Sequence, residues 1–226
     1  AFDPVTVADR AAESAMRDCL NALRPDDAIH GEEYGQTPGK TGWTWVLDPI
    51  DGTRAFVAGL PVWTTLIGLV NDEGDAIVGL IDQPTVNERY IGGPDGSVLI
   101  TPTGTTPVAV SACADLRTAT IATTDPFIMT PSEQGAWTHL RHTAQIVRYG
   151  LDAYAYARLS AGTIDLVAEA GLAPYVAAAL IPVVRGAGGL ACDWRGKPAK
   201  PGGQLVCASS QAVLDQALIS LRRSAL

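Results

Sequence analysis

The sequence predicts an α/β protein built of two unlike halves, an α+β first half and an α/β second half. Three observations predict it. Up to about residue 111, β-rich runs are joined by short turns, which marks a mostly antiparallel sheet carrying one or two helices. From residue 118 onward, strand-like and helix-like runs alternate. The 226 residues are 47% hydrophobic and 18% charged, ordinary globular proportions that suffice to bury a core. The halves are expected to divide near residues 113–117, as 1–115 and 116–226, and to share one interface as a compact unit.

The elements follow in order. Thr6 is an N-cap residue with Asp9 at the third helical position. Ala12, Ala15, Met16, Cys19, Leu20 and Leu23 continue at helical spacing until Pro25. A short strand then leads into Gly31-Glu32-Glu33-Tyr34-Gly35 and a polar loop with Pro38 and Gly39. Residues 43–47 read as a buried strand running into Asp48-Pro49-Ile50-Asp51-Gly52-Thr53. Residues 62–70 and 76–81 flank Asn71-Asp72-Glu73-Gly74, a hairpin signal. Residues 89–91 and 97–100 flank a turn at 92–96, and 108–111 closes the half as a strand. In the second half, strands are expected at 118–122, 144–149, 164–168, 190–194 and 204–208. Helices are expected at 132–142, 153–160, 177–186 and 211–221.

Charge narrows the function. Sixteen basic and 24 acidic side chains leave a formal charge of −8, so no basic stripe exists to neutralise nucleic acid. No apolar run reaches the roughly 18 residues of a membrane span. The chain opens on Ala1-Phe2-Asp3-Pro4, neither an initiator methionine nor a signal peptide, and residues before Ala1 are expected. Cys19, Cys113, Cys192 and Cys207 show no C-x-x-C spacing and read as buried, reduced thiols of a cytoplasmic protein.

Four carboxylates stand out: Glu32, Glu33, Asp48 and Asp51. Any one alone is best explained by solvation or capping, but the spacing changes that. Asp48 ends an apolar strand, Pro49 fixes a turn, and Asp51 stands where a helix begins. Carboxylates so crowded repel unless a cation lies between them, and hard oxygen ligands favour Mg²⁺ over zinc. The turn also presents the Ile50 carbonyl as a neutral ligand. Gly52 and Thr53 follow at a helix start, where backbone N–H groups donate to a phosphate. The chemistry implied is phosphoryl transfer, with Thr53 orienting a water and Glu32 accepting its proton. Rival motifs fail: no EF-hand spacing, no G-x-x-x-x-G-K-[ST] and no G-x-S-x-G. Gly186-Ala187-Gly188-Gly189 follows a helix and reads as its C-cap, and His139 and His142 as surface residues.

Gly31-Glu32-Glu33, with Trp45-Val46-Leu47-Asp48-Pro49-Ile50-Asp51-Gly52-Thr53, resembles the inositol monophosphatase family of Mg²⁺-dependent phosphatases. Val5-Thr6-Val7-Ala8-Asp9, residues 162–169 and Leu172-Ala173-Pro174-Tyr175 extend the likeness along nearly the whole chain. Residues 54–63 and 148–154 are similar to the histidinol-phosphate phosphatase branch, with Leu151 where that branch usually shows a second glycine. The resemblance implies a layered αβαβα sandwich, a homodimer, and a small phosphomonoester bound between the halves. It implies two or three Mg²⁺ ions held by Glu32, Asp48, Asp51 and the Ile50 carbonyl. Gly52 and Thr53 would hold the phosphate, with Asp9 supporting Thr53. Glu169, Arg148 and Asp152 would meet the rest of the substrate. Asp152 has two readings, a partner for the ammonium of histidinol phosphate or a cap for the helix that follows. Asp165 reads as a residue of packing or hydrogen bonding, not of chemistry.

One departure stands apart. The family places an Asp after Pro-Tyr as a metal ligand, and here Val176 follows Pro174-Tyr175. An inactivating change, a natural variant of altered activity and a water in place of the carboxylate each account for it. The expected activity is hydrolysis of L-histidinol phosphate to L-histidinol and phosphate, a histidine-biosynthesis step. The alternatives are an inositol monophosphate or sugar-phosphate phosphatase, and a non-catalytic binder of phosphorylated metabolites.

Overall fold

The computed structural model describes residues 6–226; Val5, in the V-T-x-x-D stretch, lies outside them. The first helix, α1 (Val7–Leu23), starts at a capping box in which Thr6 and Asp9 satisfy each other's backbone N–H groups. Strands β1 (Ala28–Gly31), β2 (Gly35–Thr37) and β3 (Thr44–Asp51) come next, and the short helix α2 (Thr53–Val57). The meander β4 (Thr64–Val70), β5 (Ala76–Gln83), β6 (Glu88–Gly93), β7 (Gly96–Thr101) and β8 (Gly104–Pro107) completes an eight-stranded sheet. Its order is β2-β1-β3-β4-β5-β6-β7-β8, antiparallel except where β1 runs beside β3.

Alternation follows as expected: β9 (Thr120–Thr123), α3 (Pro131–Thr143), β10 (Ile146–Tyr149), α4 (Tyr154–Ser160), β11 (Leu166–Leu172), α5 (Pro174–Gly186), β12 (Leu190–Cys192), β13 (Gly203–Ala208) and α6 (Gln211–Leu221). The second sheet has the order β10-β9-β11-β13-β12. Helix α5 packs against β4, β5 and β6 on one side and against β12 and β13 on the other, with α4 beside it. Helices α3 and α6 pack together against the far face of the second sheet, and α1 covers β3 on the outer face of the first. The result is the expected αβαβα sandwich. Its largest core lies around α4 and α5, the next between the second sheet and α3 with α6.

Contact between α5 and the first sheet depends on absent side chains. Gly68, Gly79 and Gly92 stand in register across β4, β5 and β6. A Cβ at Gly79 would run into the Ala179 carbonyl, and one at Gly92 into the backbone of Val183. The helix therefore lies almost on the strands.

Three expectations are corrected. The side of α1 that is buried holds Asp9 and Glu13, while Ala15, Cys19 and Leu23 of the supposed core stripe are exposed. The closing strand of the first half is β8, not 108–111. Val108 and Val110 instead make single backbone bonds, to Ser97 O and Ala187 O, and pack against the central core. Of the four cysteines only Cys192 and Cys207 are buried, and all four are free thiols.

Candidate active site

The Asp48-to-Asp51 turn is shaped by a β-bulge. Asp48 pairs with Leu66 and Asp51 with Thr64, so three steps on β3 face two on β4. Pro49 has no N–H to give the ladder, and the Thr65 hydroxyl donates to its carbonyl instead (2.7 Å). Residues three apart on a regular strand point to opposite faces; the extra residue brings Asp48 and Asp51 to the same cavity. Gly52 then adopts φ +81°, the left-handed region, and opens α2. Helix α2 has only five residues, so any hold on an anion rests on its first N–H groups and not on a long dipole.

The cavity is about 250 Å³ in volume and collects residues from both halves. Glu32, Asp48, Ile50, Asp51, Gly52 and Thr53 come from the first, Asp152, Glu169 and Val176 from the second. The structure thus gathers all but two of the residues assigned from the sequence. Asp9 closes its own capping box, accepting from the Thr6 backbone N–H (2.8 Å) and hydroxyl, and the Thr53 hydroxyl donates to the Ile50 carbonyl (3.1 Å). Asp9 acts on the cavity only by charge, adding to the burial that raises Asp48 and, outside the cavity, Glu33. Arg148 is exposed on the edge strand β10 and does not line the cavity, because its strand borders the second sheet away from α5.

The carboxylates are crowded: Asp48 and Glu169 are buried, and Glu32, Asp51 and Asp152 are half-buried. Asp48 is 2% exposed. Burial first, then the charges of Asp51 and Glu32, push it well above the usual carboxylate range, and it hydrogen-bonds with Glu32. Its Oδ1 has no hydrogen-bond partner among the described residues. Burial and the Asp152 charge bring Asp51 up to about 8, although the Ala153 N–H donated to it (2.7 Å) acts the other way. Asp51 therefore caps α4, and the capping role considered for Asp152 belongs to it. Asp152 stands in the left-handed region at φ +48°; a Cβ at Gly52 would lie 3.1 Å from its Oδ2. Glu169 accepts from the Thr123 hydroxyl (3.0 Å) and the Thr124 N–H and hydroxyl (2.5 and 2.9 Å), yet burial still raises it to about 7.

Among the described residues no three His, Cys, Asp or Glu side chains stand as a ready metal cluster. The donor set nevertheless fits a hard divalent cation: oxygen only, raised in pKa by burial and then by mutual repulsion, with a buried carboxylate oxygen left unpartnered among the described residues.

Sequence reasoning passed over two groups. Tyr156 lines the cavity four residues after Asp152, a helical spacing that was visible. Glu13 lies beneath the Glu32 loop, fully buried, accepting from the Glu33 N–H (2.7 Å) and Tyr34 N–H (3.3 Å) and pairing with Arg17 (2.7 Å). Its place was masked by the apolar residues around it in α1.

A sequence profile of the inositol monophosphatase family matches residues 1–226. The chain belongs to the inositol monophosphatase family. Members of this family and their histidinol-phosphatase relatives are phosphoric monoester hydrolases, and the family is metal-dependent. The chain is 42% identical over 198 residues to the bifunctional phosphatase IMPL2, chloroplastic, of Arabidopsis thaliana, covering 87% of this chain. It spans only 56% of that relative's length. It is 35% identical to the histidinol-phosphatase of Mycobacterium tuberculosis, covering 96% of this chain and 84% of that one. A solved inositol monophosphatase from Zymomonas mobilis superposes with a TM-score of 0.87 at 36% identity, covering 98% and 88% of the two chains.

Proposed function

We propose that this chain hydrolyses L-histidinol phosphate to L-histidinol and phosphate with Mg²⁺ as cofactor. The observation that carries the proposal is the Asp152 carboxylate, half-buried beside Gly52 at the cavity wall, where an ammonium group has its counter-charge and an inositol ring has none. Likeness to histidinol-phosphatases across almost the whole chain supports it.

The residues divide the work. Glu32, Asp48, Asp51 and the Ile50 carbonyl would hold the cation, and Asp48 Oδ1 is the oxygen still lacking a partner. When bound, Mg²⁺ supplies Lewis acidity to the phosphoryl oxygens and lowers the pKa of water. The N–H groups at Gly52 and Thr53 hold the phosphate, Thr53 orients the attacking water and Glu32 takes its proton. Glu169 receives the alcohol portion.

Phosphate release from L-histidinol phosphate and from inositol 1-phosphate, under the same Mg²⁺, tests the proposal. Asp152→Asn is expected to lower kcat/KM about tenfold or more for the cationic substrate alone. Equal losses on both substrates, or preference for the inositol phosphate, would defeat it.

Val176 favours a second reading. It lines the cavity with a side chain that offers no lone pair, which suits a protein that binds phosphorylated metabolites without turning them over. Calorimetric binding without turnover at high Mg²⁺ would support that reading. Restoration by Val176→Asp, with a gain of at least about tenfold, would instead place the weakness in the missing carboxylate.

A further inference from the structure

We propose that Tyr156 is a substrate-binding residue whose hydroxyl meets the alcohol portion of the phosphomonoester. The proposal rests on the phosphatase reading of the cavity and adds a contact to it. Tyr156 lies on α4, is 1% exposed and lines the cavity. Its hydroxyl is buried with no hydrogen-bond partner among the described residues. Buried tyrosine hydroxyls ordinarily find one, and leaving such a group unsatisfied costs roughly 1–3 kcal/mol.

The nearby carboxylates do not relieve it. Glu169 and Asp51 are close enough for their charges to act on the phenol. Yet Glu169 takes its hydrogens from Thr123 and Thr124, and Asp51 from Ala153 and Thr64. Burial and these charges push the phenol up, so it stays protonated and able to donate. Among the described residues only one other unpartnered buried side-chain atom lines the cavity, the Asp48 oxygen suited to a cation. Trp137 Nε1 and Ser209 Oγ, the remaining two, do not line it. Tyr156 neighbours Glu169 and follows Asp152 by about one helical turn, and these residues are assigned to the alcohol and not to the phosphate. A ring nitrogen or hydroxyl of that alcohol is the acceptor its O–H lacks.

Tyr156→Phe deletes the oxygen and keeps the ring. Calorimetry with Mg²⁺ compares the two proteins toward L-histidinol, myo-inositol and inorganic phosphate, none of which is consumed. The variant is expected to bind the alcohol that the wild type prefers about tenfold more weakly, to bind phosphate equally, and to melt no lower than the wild type without ligand. Equal weakening toward phosphate, unchanged alcohol binding, or a Tm several degrees lower would overturn the assignment. So would a wild type that binds neither alcohol. Preference for myo-inositol with the Tyr156 effect intact would overturn the histidinol reading and leave Tyr156 in place.

Discussion

Glu13 shows how a side chain outside the cavity governs one inside it. Its carboxylate fills the space that a side chain at Gly31 would occupy and holds the loop between β1 and β2 by two N–H groups. Arg17 completes the clamp by donating to Gly35 O (2.5 Å) and the Thr37 hydroxyl (2.9 Å). Removing one partner of a buried ion pair leaves the other stranded. Glu13→Ala is therefore expected to cost about 3 kcal/mol in urea unfolding, with Glu13→Gln milder because an amide oxygen still accepts from Glu33. Mg²⁺ titration of the alanine variant is expected to show roughly tenfold weaker binding, since the clamp orients Glu32. At this scale the sequence announced the carboxylates of the Asp48-to-Asp51 turn, whose spacing is local. It concealed Glu13 and Tyr156, whose roles depend on residues far along the chain.

Among the elements, the bulge in β3 and the glycine row beneath α5 set the position of the site. The bulge aims two carboxylates one way. The glycines let α5 approach until Tyr175 and Val176, at its first turn, line the cavity. Gly79→Ala is expected to lower Tm by several degrees through overpacking against Ala179, a cost of about 1–3 kcal/mol or more. An unchanged Tm in calorimetry would show that α5 can shift without penalty. Where patterning misled, the physics is local as well. Strand β8 is exposed along its whole length and carries no apolar alternation, so periodicity passed it over for the Val108-Ala109-Val110 run. Helix α1 carries apolar residues at helical spacing, yet the bonds that attach it are polar.

For the molecule as a whole, the cavity ties folding to protonation. In the metal-free fold Asp51 is held at about 8 and Glu169 at about 7, against ordinary values of 3.8 and 4.5. Folded protein thus carries more protons than the unfolded chain between about pH 4 and pH 8, and stability falls as pH rises through that window. In chelator, Tm is expected to drop from pH 5 to pH 8.5. Saturating Mg²⁺ should recover most of the loss at the alkaline end, and its uptake at pH 7 should release protons to an indicator dye. A Tm in chelator that climbs over the same range would contradict this account. Alternation and turn spacing made the two unlike halves legible; the layering and the site between the halves came only from the family resemblance, because nothing local encodes either.

Asp51 carries a consequence for how variants here are interpreted. The same carboxylate that faces the cavity also fastens the start of α4 from 102 residues away. An alanine there would unhitch a helix while discarding a charge, and a dead protein would not say which loss killed it. Asparagine keeps an oxygen for the Ala153 amide and surrenders only the anion, so the pair of substitutions separates scaffolding from chemistry.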